Sequence, residues 1–235
     1  MPNAIFDYNT NFTIFGKQHL VMLAATIILS ILLPLLSLRF LSVEQQLMCS
    51  RFMSVVLSVA VVLWLITRCF LGEFDRTTDL PLDICNLAAV LMPFLMWSPS
   101  RQFNDILYFW ILAGTFQAIL TPYLYEGYPH FTFLKYWIVH GGLVVYIVYV
   151  TVVFELFPDG QSIVRAFAWL QVYAVCMYFI NRMLRSNYFY IIEKPPTASV
   201  LDYFGPWPWY ILVCEGLALI LFGLAYLPVY VFNKS

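Results

Sequence analysis

The sequence of 235 residues is 62% hydrophobic and 19% aromatic, while only 11% of its residues are charged. A soluble domain would carry about 25% charged residues, so this composition predicts an integral membrane protein and excludes a soluble enzyme or binding module. The formal net charge of −1 and the lack of a Lys- or Arg-rich tract give no indication of a nucleic-acid partner.

Seven apolar segments are each long enough to cross about 30 Å of hydrocarbon at about 1.5 Å of rise per residue. Polar stretches with Gly and Pro separate them, and the first is predicted to be a true span rather than a cleaved signal. The sequence therefore predicts an all-α integral membrane protein, with one transmembrane domain over 1–235 and about seven helices in one bundle. The predicted spans are 18–41, 51–71, 80–98, 103–122, 131–157, 162–183 and 206–232.

The polar residues within or near these spans share one side of the membrane if successive helices alternate in direction. Ionisable side chains in spans are costly and mark a functional site or a water-filled cavity by default. The pattern predicts a polar cavity open to that side. The halves of the helices on the opposite side are nearly bare of charge and are expected only to pack against one another. The residues concerned are His19, Arg68, Asp79, Asp83, Cys85, Asn86, Gln117, Thr121, Tyr136, His140, Asn181, Arg182 and Glu215.

Cys85 and His140 are the candidate catalytic residues. Cys85 follows Pro81 by about four residues, and the free amides of a first helical turn favour a thiolate and a developing oxyanion. His140 lies ~10 Å into the fifth span from the same side, so the two residues meet if the third and fifth helices are neighbours. Such an imidazole takes the thiol proton, and the thiolate attacks a carbonyl without a metal. Asp83 would oppose thiolate formation and is expected to orient a His or an Arg.

Each of these signals also has a plainer interpretation. A single cysteine in a span is most often a small hydrophobe, and a single histidine is more often a structural hydrogen-bonding partner. His19 is alternatively an interfacial anchor, and Glu215 a neutral group bonded to a neighbouring helix. The five cysteines are scattered without a C-x-x-C pair, which argues against a disulfide framework and a zinc site. No obligatory metal or organic cofactor is expected.

Two classes of function remain open on the residues alone. In the first, a lipid-active enzyme, Asn86, Gln117 or Arg68 would hold the ester oxygen or a headgroup phosphate. In the second, a binding or transport protein, the same cavity holds a solute or lipid headgroup and Cys85→Ser changes little. The one-sided polar distribution weighs against a permeation path. The other predicted substrate-binding residues are Asp83, His19, Tyr136, Asn181, Arg182 and Glu215.

Several long segments resemble the YwaF-type family of bacterial integral membrane proteins, which is related to eukaryotic transmembrane protein 164. They are FGKQHL at 15–20, LPLDICNL at 80–87, GTFQAILTP at 114–122, YPHFTFLKYWIVHGG at 128–142 and NYFYIIEKPPTASVLDYFGPWPWY at 187–210. The resemblance implies a bacterial plasma-membrane protein and a cysteine-dependent acyltransferase that moves fatty acyl groups between phospholipids. It implies Cys85 as nucleophile and His140 as its partner. The bacterial motif often has a histidine two residues before the cysteine, where this chain has Asp83. A more distant similarity to membrane hydrolases of fatty acid esters of hydroxy fatty acids, which use a threonine nucleophile with a histidine, implies an ester hydrolase as the alternative.

Overall fold

In lipid every backbone amide must be paired within the protein, and this chain meets that requirement with helices. The computed structural model describes residues 4–195 and 200–232, and within these ranges it contains no β-strand. Residues 1–3, 196–199 and 233–235 of the predicted transmembrane domain lie outside the described residues. The helices are α1 (Lys17–Phe40), α2 (Val43–Phe70), α3 (Ile84–Leu95), α4 (Arg101–Leu120), α5 (Phe131–Val153), α6 (Gly160–Leu184) and α7 (Trp209–Phe232).

Six of these helices are long and apolar enough to cross a membrane. The chain is therefore a multi-pass membrane protein, and the predicted all-α membrane bundle is confirmed. The exception is α3, whose 12 residues span about 18 Å, less than the ~30 Å of the hydrocarbon layer. The predicted third span, 80–98, contains this short helix between irregular ends.

The segment that carries α3 nevertheless runs antiparallel to α2 along most of its length. Arg68, near the end of α2, pairs with Asp79 before α3 at 3.0 Å. Arg51, near the start of α2, donates to the carbonyl oxygen of Trp97 after α3 at 2.9 Å. Positions 51 and 68 are about 26 Å apart along a helix, so residues 79–97 cross most of the hydrocarbon thickness with a helix only at their centre.

The second helix begins earlier than the predicted boundary of residue 51. Ser42 accepts from the backbone N–H of Gln45, and the Gln45 side chain accepts from the backbone N–H of Ser42. This reciprocal cap satisfies two amides that a helix start leaves free. The stretch SVEQQ, which separates two apolar runs in the sequence, therefore starts α2.

The most buried of the six long helices is α5, with 67% of its apolar stretch inside the protein. It contacts α1, α2, α3 and α4, while α6 and α7 pack against α4. Its central residues Val139, Leu143, Tyr146 and Ile147 are fully buried. The first half of α5, which carries His140, therefore lies at the centre of the bundle.

Close approach of α1 to α5 depends on Gly141. A Cβ at Gly141 would lie 2.8 Å from Thr26 Oγ1 on α1, below ordinary van der Waals contact. Gly141→Leu is expected to destabilise the protein by about 1–3 kcal/mol through overpacking. Thermal unfolding of the purified protein in detergent measures the effect. Gly223→Leu is the matched control, because no atom lies within 4 Å of a Cβ built at Gly223, and an equal loss in both variants would contradict the packing argument.

Candidate functional site

The residues before α3 are held in place by two tyrosines instead of by helical hydrogen bonds. The hydroxyl of Tyr188 accepts from the backbone N–H of Leu80 at 2.9 Å and donates to the carbonyl oxygen of Arg76 at 2.9 Å. Burial raises the pKa of Tyr188 to about 12, so this hydroxyl stays neutral and can donate. Tyr173 on α6 donates to the carbonyl oxygen of Leu82 at 2.7 Å. These bonds fix the point at which α3 begins.

Helix α3 begins at Ile84, three residues after Pro81. Pro81 therefore precedes the helix instead of occupying its first turn. Asp83 is the N-cap residue, with no cap hydrogen bond from its side chain, and Cys85 is the second residue of the helix. The first-turn amides of Ile84, Cys85 and Asn86 have no acceptor within the helix. Cys85 is therefore nearer to the helix start than the sequence predicted, within the turn where the partial positive charge of the helix dipole is concentrated.

Cys85 contacts a helix irregularity in α4. Its Sγ lies 3.2 Å from Thr115 Oγ1, the last residue of a π-helical turn over Trp110–Thr115. π-Turns are uncommon and frequently occur at functional sites, because they displace side chains relative to the α-helical register. Thr115 is buried and Cys85 is half-buried. The π-turn thus brings a hydroxyl to the candidate nucleophile.

A lysine lies on the other side of Cys85. Lys135 Nζ, one turn into α5, donates to Asn86 Oδ1 at 2.7 Å and lies 4.7 Å from the centre of the Trp64 ring on α2. Lys135 interacts electrostatically with Asp83 and Cys85. Lys135, which was not among the predicted site residues, therefore lies inside the candidate site.

His140 is held in one tautomer by α5 itself. Its Nδ1 lies 2.9 Å from the carbonyl oxygen of Tyr136, and since a carbonyl oxygen only accepts, Nδ1 carries the hydrogen. The neutral ring then has its lone pair on Nε2, where it can accept a proton. The ring stacks on Tyr136 with centroids 4.1 Å apart, and the Tyr136 hydroxyl donates to the carbonyl oxygen of Ala118 at 2.8 Å. Within the described residues, the hydrogen bond of Cys85 Sγ goes to Thr115 and not to His140.

Two predicted binding residues have their hydrogen bonds occupied by the fold. His19 accepts from the backbone N–H of Phe15 at Nδ1 and donates from Nε2 to the carbonyl oxygen of Ile119, both at 2.8 Å. Asn181 bonds both the N–H and the carbonyl oxygen of Tyr188, each at 2.8 Å. His19 therefore ties α1 to α4, and Asn181 holds the tyrosine that anchors the start of α3.

The predicted cations Arg68 and Arg182 lie outside the contacts of Cys85. Arg68 pairs with Glu73 at 2.7 Å and with Asp79 at 3.0 Å, and Tyr8 donates to the same Glu73 carboxylate at 2.6 Å. Arg182 is exposed at the end of α6. Arg68 therefore organises the loop above the site.

Three consecutive residues face different surroundings at the start of α3. Asp83 lines a polar pocket of about 500 Å³, here the surface pocket, together with Arg185, Asn187 and Glu193. Ile84 lines an almost wholly apolar groove of about 270 Å³ between α4 and α7, here the α4–α7 groove. Cys85 follows them and contacts Thr115, the neighbour of a groove residue, Gly114.

The remaining predicted residues line the grooves. Gln117 is exposed in the α4–α7 groove, which also contains Cys214. Glu215 lines an adjoining apolar groove of about 260 Å³ between α6 and α7, which shares Cys214 and Phe189 with the first. Both residues therefore line apolar grooves.

The far ends of the helices are more polar than predicted. Asp105 near the start of α4 is buried and accepts from Arg165 Nη2 of α6 at 2.6 Å, and Arg101 pairs with Asp159 at 2.7 Å. Burial raises the pKa of Asp159, but hydrogen bonds from Ser162 and the charges of both arginines outweigh it and hold the pKa below its usual value. Asp159 keeps its negative charge in this ion-pair group, which links α4 to α6.

Sequence reasoning missed Lys135, Thr115, Tyr173 and Asp105 as parts of these two polar groups. Lys135 had a usable signal, because it is a lysine in an apolar helix five residues before His140. Thr115 had none, because a π-turn has no recognisable pattern in a single sequence. The described residues contain no group of three or more His, Cys, Asp or Glu that could hold a metal ion.

Comparison with known proteins gives one family. The model of the TMEM164 family matches residues 14–226, which includes every candidate residue of the site. The relation to transmembrane protein 164 expected from the sequence is thereby confirmed, whereas membership of the YwaF-type group stays a prediction. No curated protein and no solved structure is significantly similar to the chain.

Proposed function

The chain belongs to the TMEM164 family, and we propose that it is a lipid-active enzyme, an acyltransferase or ester hydrolase, with Cys85 as nucleophile and His140 as proton carrier. The observation that carries this proposal is the start of α3, where Asp83 lines the polar surface pocket, Ile84 lines the apolar α4–α7 groove and Cys85 follows. An acyl ester of a membrane lipid has its reactive carbonyl between a polar headgroup and an apolar chain, so a nucleophile next to residues that line a polar and an apolar space suits such a substrate.

The dimensions and chemistry of the two spaces support this match. The α4–α7 groove is lined mainly by Leu, Phe and Ala side chains, which suit an acyl chain. The surface pocket contains one arginine and two carboxylates beside amide and hydroxyl groups, which suit a charged headgroup. Few precisely placed polar groups in an otherwise apolar site are typical of small-molecule binding.

The reaction proceeds in two acyl-transfer steps. The Cys85 thiol gives its proton to His140 Nε2, and the thiolate forms a bond to the ester carbonyl carbon while the carbonyl electrons move to oxygen. Collapse of this oxyanion breaks the ester C–O bond, and the leaving alkoxide takes the proton from His140. Water or a lysolipid hydroxyl then loses its proton to His140, attacks the thioester and releases the Cys85 thiolate, which recovers the proton. The acceptor decides between hydrolase and transferase.

Reaching that geometry requires a small rearrangement, because Cys85 bonds Thr115 in the structure. Catalytic hydrogen bonds are often long or unformed until substrate binds. Rotation of the Cys85 side chain away from Thr115 would free the thiol for His140, whose lone pair is on Nε2. Thr115 then serves as the resting partner of the thiol.

A second candidate function is a non-catalytic binding or transport protein, in which the surface pocket and grooves hold a lipid or solute. The Cys85–Thr115 contact favours it, because a thiol bonded to a hydroxyl is not activated. Under either function the whole chain acts as one transmembrane unit, and the resemblance to bacterial proteins supports a location in the bacterial plasma membrane.

A lipid-like acyl electrophile tests the enzyme proposal. Purified protein in nanodiscs is treated with an activated long-chain ester, and the acylated cysteine is identified by intact mass and peptide mapping. We expect acylation at Cys85, lost in Cys85→Ala. Cys214→Ala is the matched control, since Cys214 is a half-buried thiol that lines both apolar grooves. Acylation of Cys214 at the same rate as Cys85 would instead favour the binding protein.

A further inference from the structure

We propose that Lys135 is a further catalytic residue of this site, whose ammonium group neutralises the Cys85 thiolate and then the oxyanion formed on the ester. The inference rests on the proposed function and adds the positive charge that this function lacks. A thiolate and a tetrahedral oxyanion are both anions, and a site in the low dielectric of a membrane protein needs a fixed cation or oriented dipoles to hold them.

The position of Lys135 is the first observation. Its Nζ lies 2.7 Å from the side-chain oxygen of Asn86, the residue that follows Cys85 in the first turn of α3. Lys135 and Cys85 also interact electrostatically. The ammonium group therefore lies beside the first turn of α3, which also carries Cys85, so the cation and the helix dipole both favour negative charge at this turn.

The unused hydrogen-bonding capacity of the ammonium is the second observation. A lysine ammonium has three N–H donors. In the described part of the chain, Lys135 donates one hydrogen bond, to Asn86. The Trp64 ring stabilises the charge from a distance of 4.7 Å without accepting a conventional hydrogen bond. Donors remain free for an oxygen that arrives with the substrate, which is where an oxyanion would be bound.

The surrounding charges explain why a lysine is tolerated there. Asp83 is its largest favourable electrostatic partner. This gives Asp83 the role of counter-ion to Lys135, in place of the expected role of orienting a His or an Arg. The titratable and charged groups that face the cysteine and lysine from the neighbouring elements are Asp79 and Asp83 before α3, Tyr136 and His140 on α5, and Tyr173 on α6.

In the proposed step Lys135 changes no bond. The thiol proton goes to His140, and the new C–S bond places the negative charge first on sulfur and then on the ester oxygen. Lys135 donates a hydrogen bond to that oxygen together with the first-turn amides, and loses the bond when the oxyanion collapses to the thioester. Its ammonium form is the same at the start and at the end.

A purely structural role for Lys135 would also explain its contacts, since it joins α5 to the start of α3. The two roles differ in what they do to Cys85. A purely structural role requires only the bond to Asn86. In the proposed role, loss of the lysine charge makes thiolate formation at Cys85 less favourable, and loss of the Asp83 charge makes it more favourable.

The pH dependence of Cys85 alkylation by iodoacetamide separates them, because only the thiolate reacts. Lys135→Met should move the midpoint of the profile up by about one pH unit, and Asp83→Asn should move it down, since an opposite charge within a few ångströms favours the ionised form. Lys135→Arg should return the midpoint toward wild type. Acylation by the ester probe should fall about 10- to 100-fold in Lys135→Met.

The control is Lys17→Met, which removes an exposed lysine from the start of α1 and should leave the profile unchanged. An unchanged midpoint in Lys135→Met would overturn the inference, and Lys135→Gln decides it in the same way if Lys135→Met does not fold. Alkylation needs no ester. Failure of the ester probe with an intact Lys135 effect would therefore count against the proposed function and leave the electrostatic role of Lys135 established.

Discussion

His140→Ala is expected to lower the rate of Cys85 acylation by about 10²- to 10⁴-fold, the usual contribution of a positioned general base. In the structure Nδ1 is bonded to the carbonyl oxygen of Tyr136, which leaves Nε2 as the only ring nitrogen able to take the thiol proton. Without it the thiol must ionise unaided, so the residual rate should rise steeply with pH. Time courses of acylation by intact mass, at several pH values, measure both effects.

His130→Asn is the matched control for this prediction. His130 caps the start of α5 by accepting from the backbone N–H of Thr132, and asparagine is a good N-cap residue, so the helix start is retained. The control should react like the wild type. A loss of less than about tenfold in His140→Ala would contradict the general-base role, and the imidazole would then be a packing partner of Tyr136.

The grouping of polar residues at the start of α3 was easier to predict than the contacts of those residues. The chain opens α3 with Asp83, Cys85 and Asn86, and an apolar chain has few places where such residues are tolerated, so their grouping could be predicted. The contacts of the Cys85 thiol could not be predicted, because they depend on a π-turn that moves Thr115 toward Cys85. Helical periodicity assumes a constant register, and a single extra residue in a turn defeats it.

His19 and Asn181 show a second limit of sequence reasoning. Both are polar residues on the predicted side, and polarity alone suggested that they bind substrate. In the structure the polar atoms of both side chains bond the fold, His19 between α1 and α4 and Asn181 to the residue that anchors α3. A buried polar side chain must be paired with something, and a sequence does not say whether the partner is a ligand or the protein's own backbone.

The third limit concerns Lys135 and Asp105, which lie at opposite ends of the bundle. Each reads as a charge near a helix end, where long side chains usually reach the interface. Asp105 has too short a side chain to do so, and its 2% exposure records the result. Lys135 does not reach the interface either, since its ammonium group bonds Asn86 inside the candidate site. The sequence alone does not show which charged side chains turn into the protein.

Asp105→Ala is expected to destabilise the protein by about 2 kcal/mol. The value lies between about 1 kcal/mol for an exposed ion pair and about 3–5 kcal/mol for breaking a fully buried one, because Asp105 is 2% exposed and its partner Arg165 is 43% exposed. Loss of the carboxylate removes the 2.6 Å bond that joins α4 to α6. Denaturant unfolding in detergent, followed by tryptophan fluorescence, measures the change in free energy.

Substitution of the ion-pair partner, Arg165, tests which of the two charges depends more on the pair. Arg165→Gln should cost at least as much as Asp105→Ala, since it leaves the buried carboxylate of Asp105 without its closest cation, whereas Asp105→Ala leaves an arginine that is 43% exposed to water. A clearly smaller loss in Arg165→Gln would contradict this reasoning. Asp105 is at the end of α4 remote from Thr115, so acylation of Cys85 per folded molecule should be unchanged in Asp105→Ala. A parallel loss of acylation would mean that the ion-pair group sets the register of α4, and with it the position of the π-turn against Cys85.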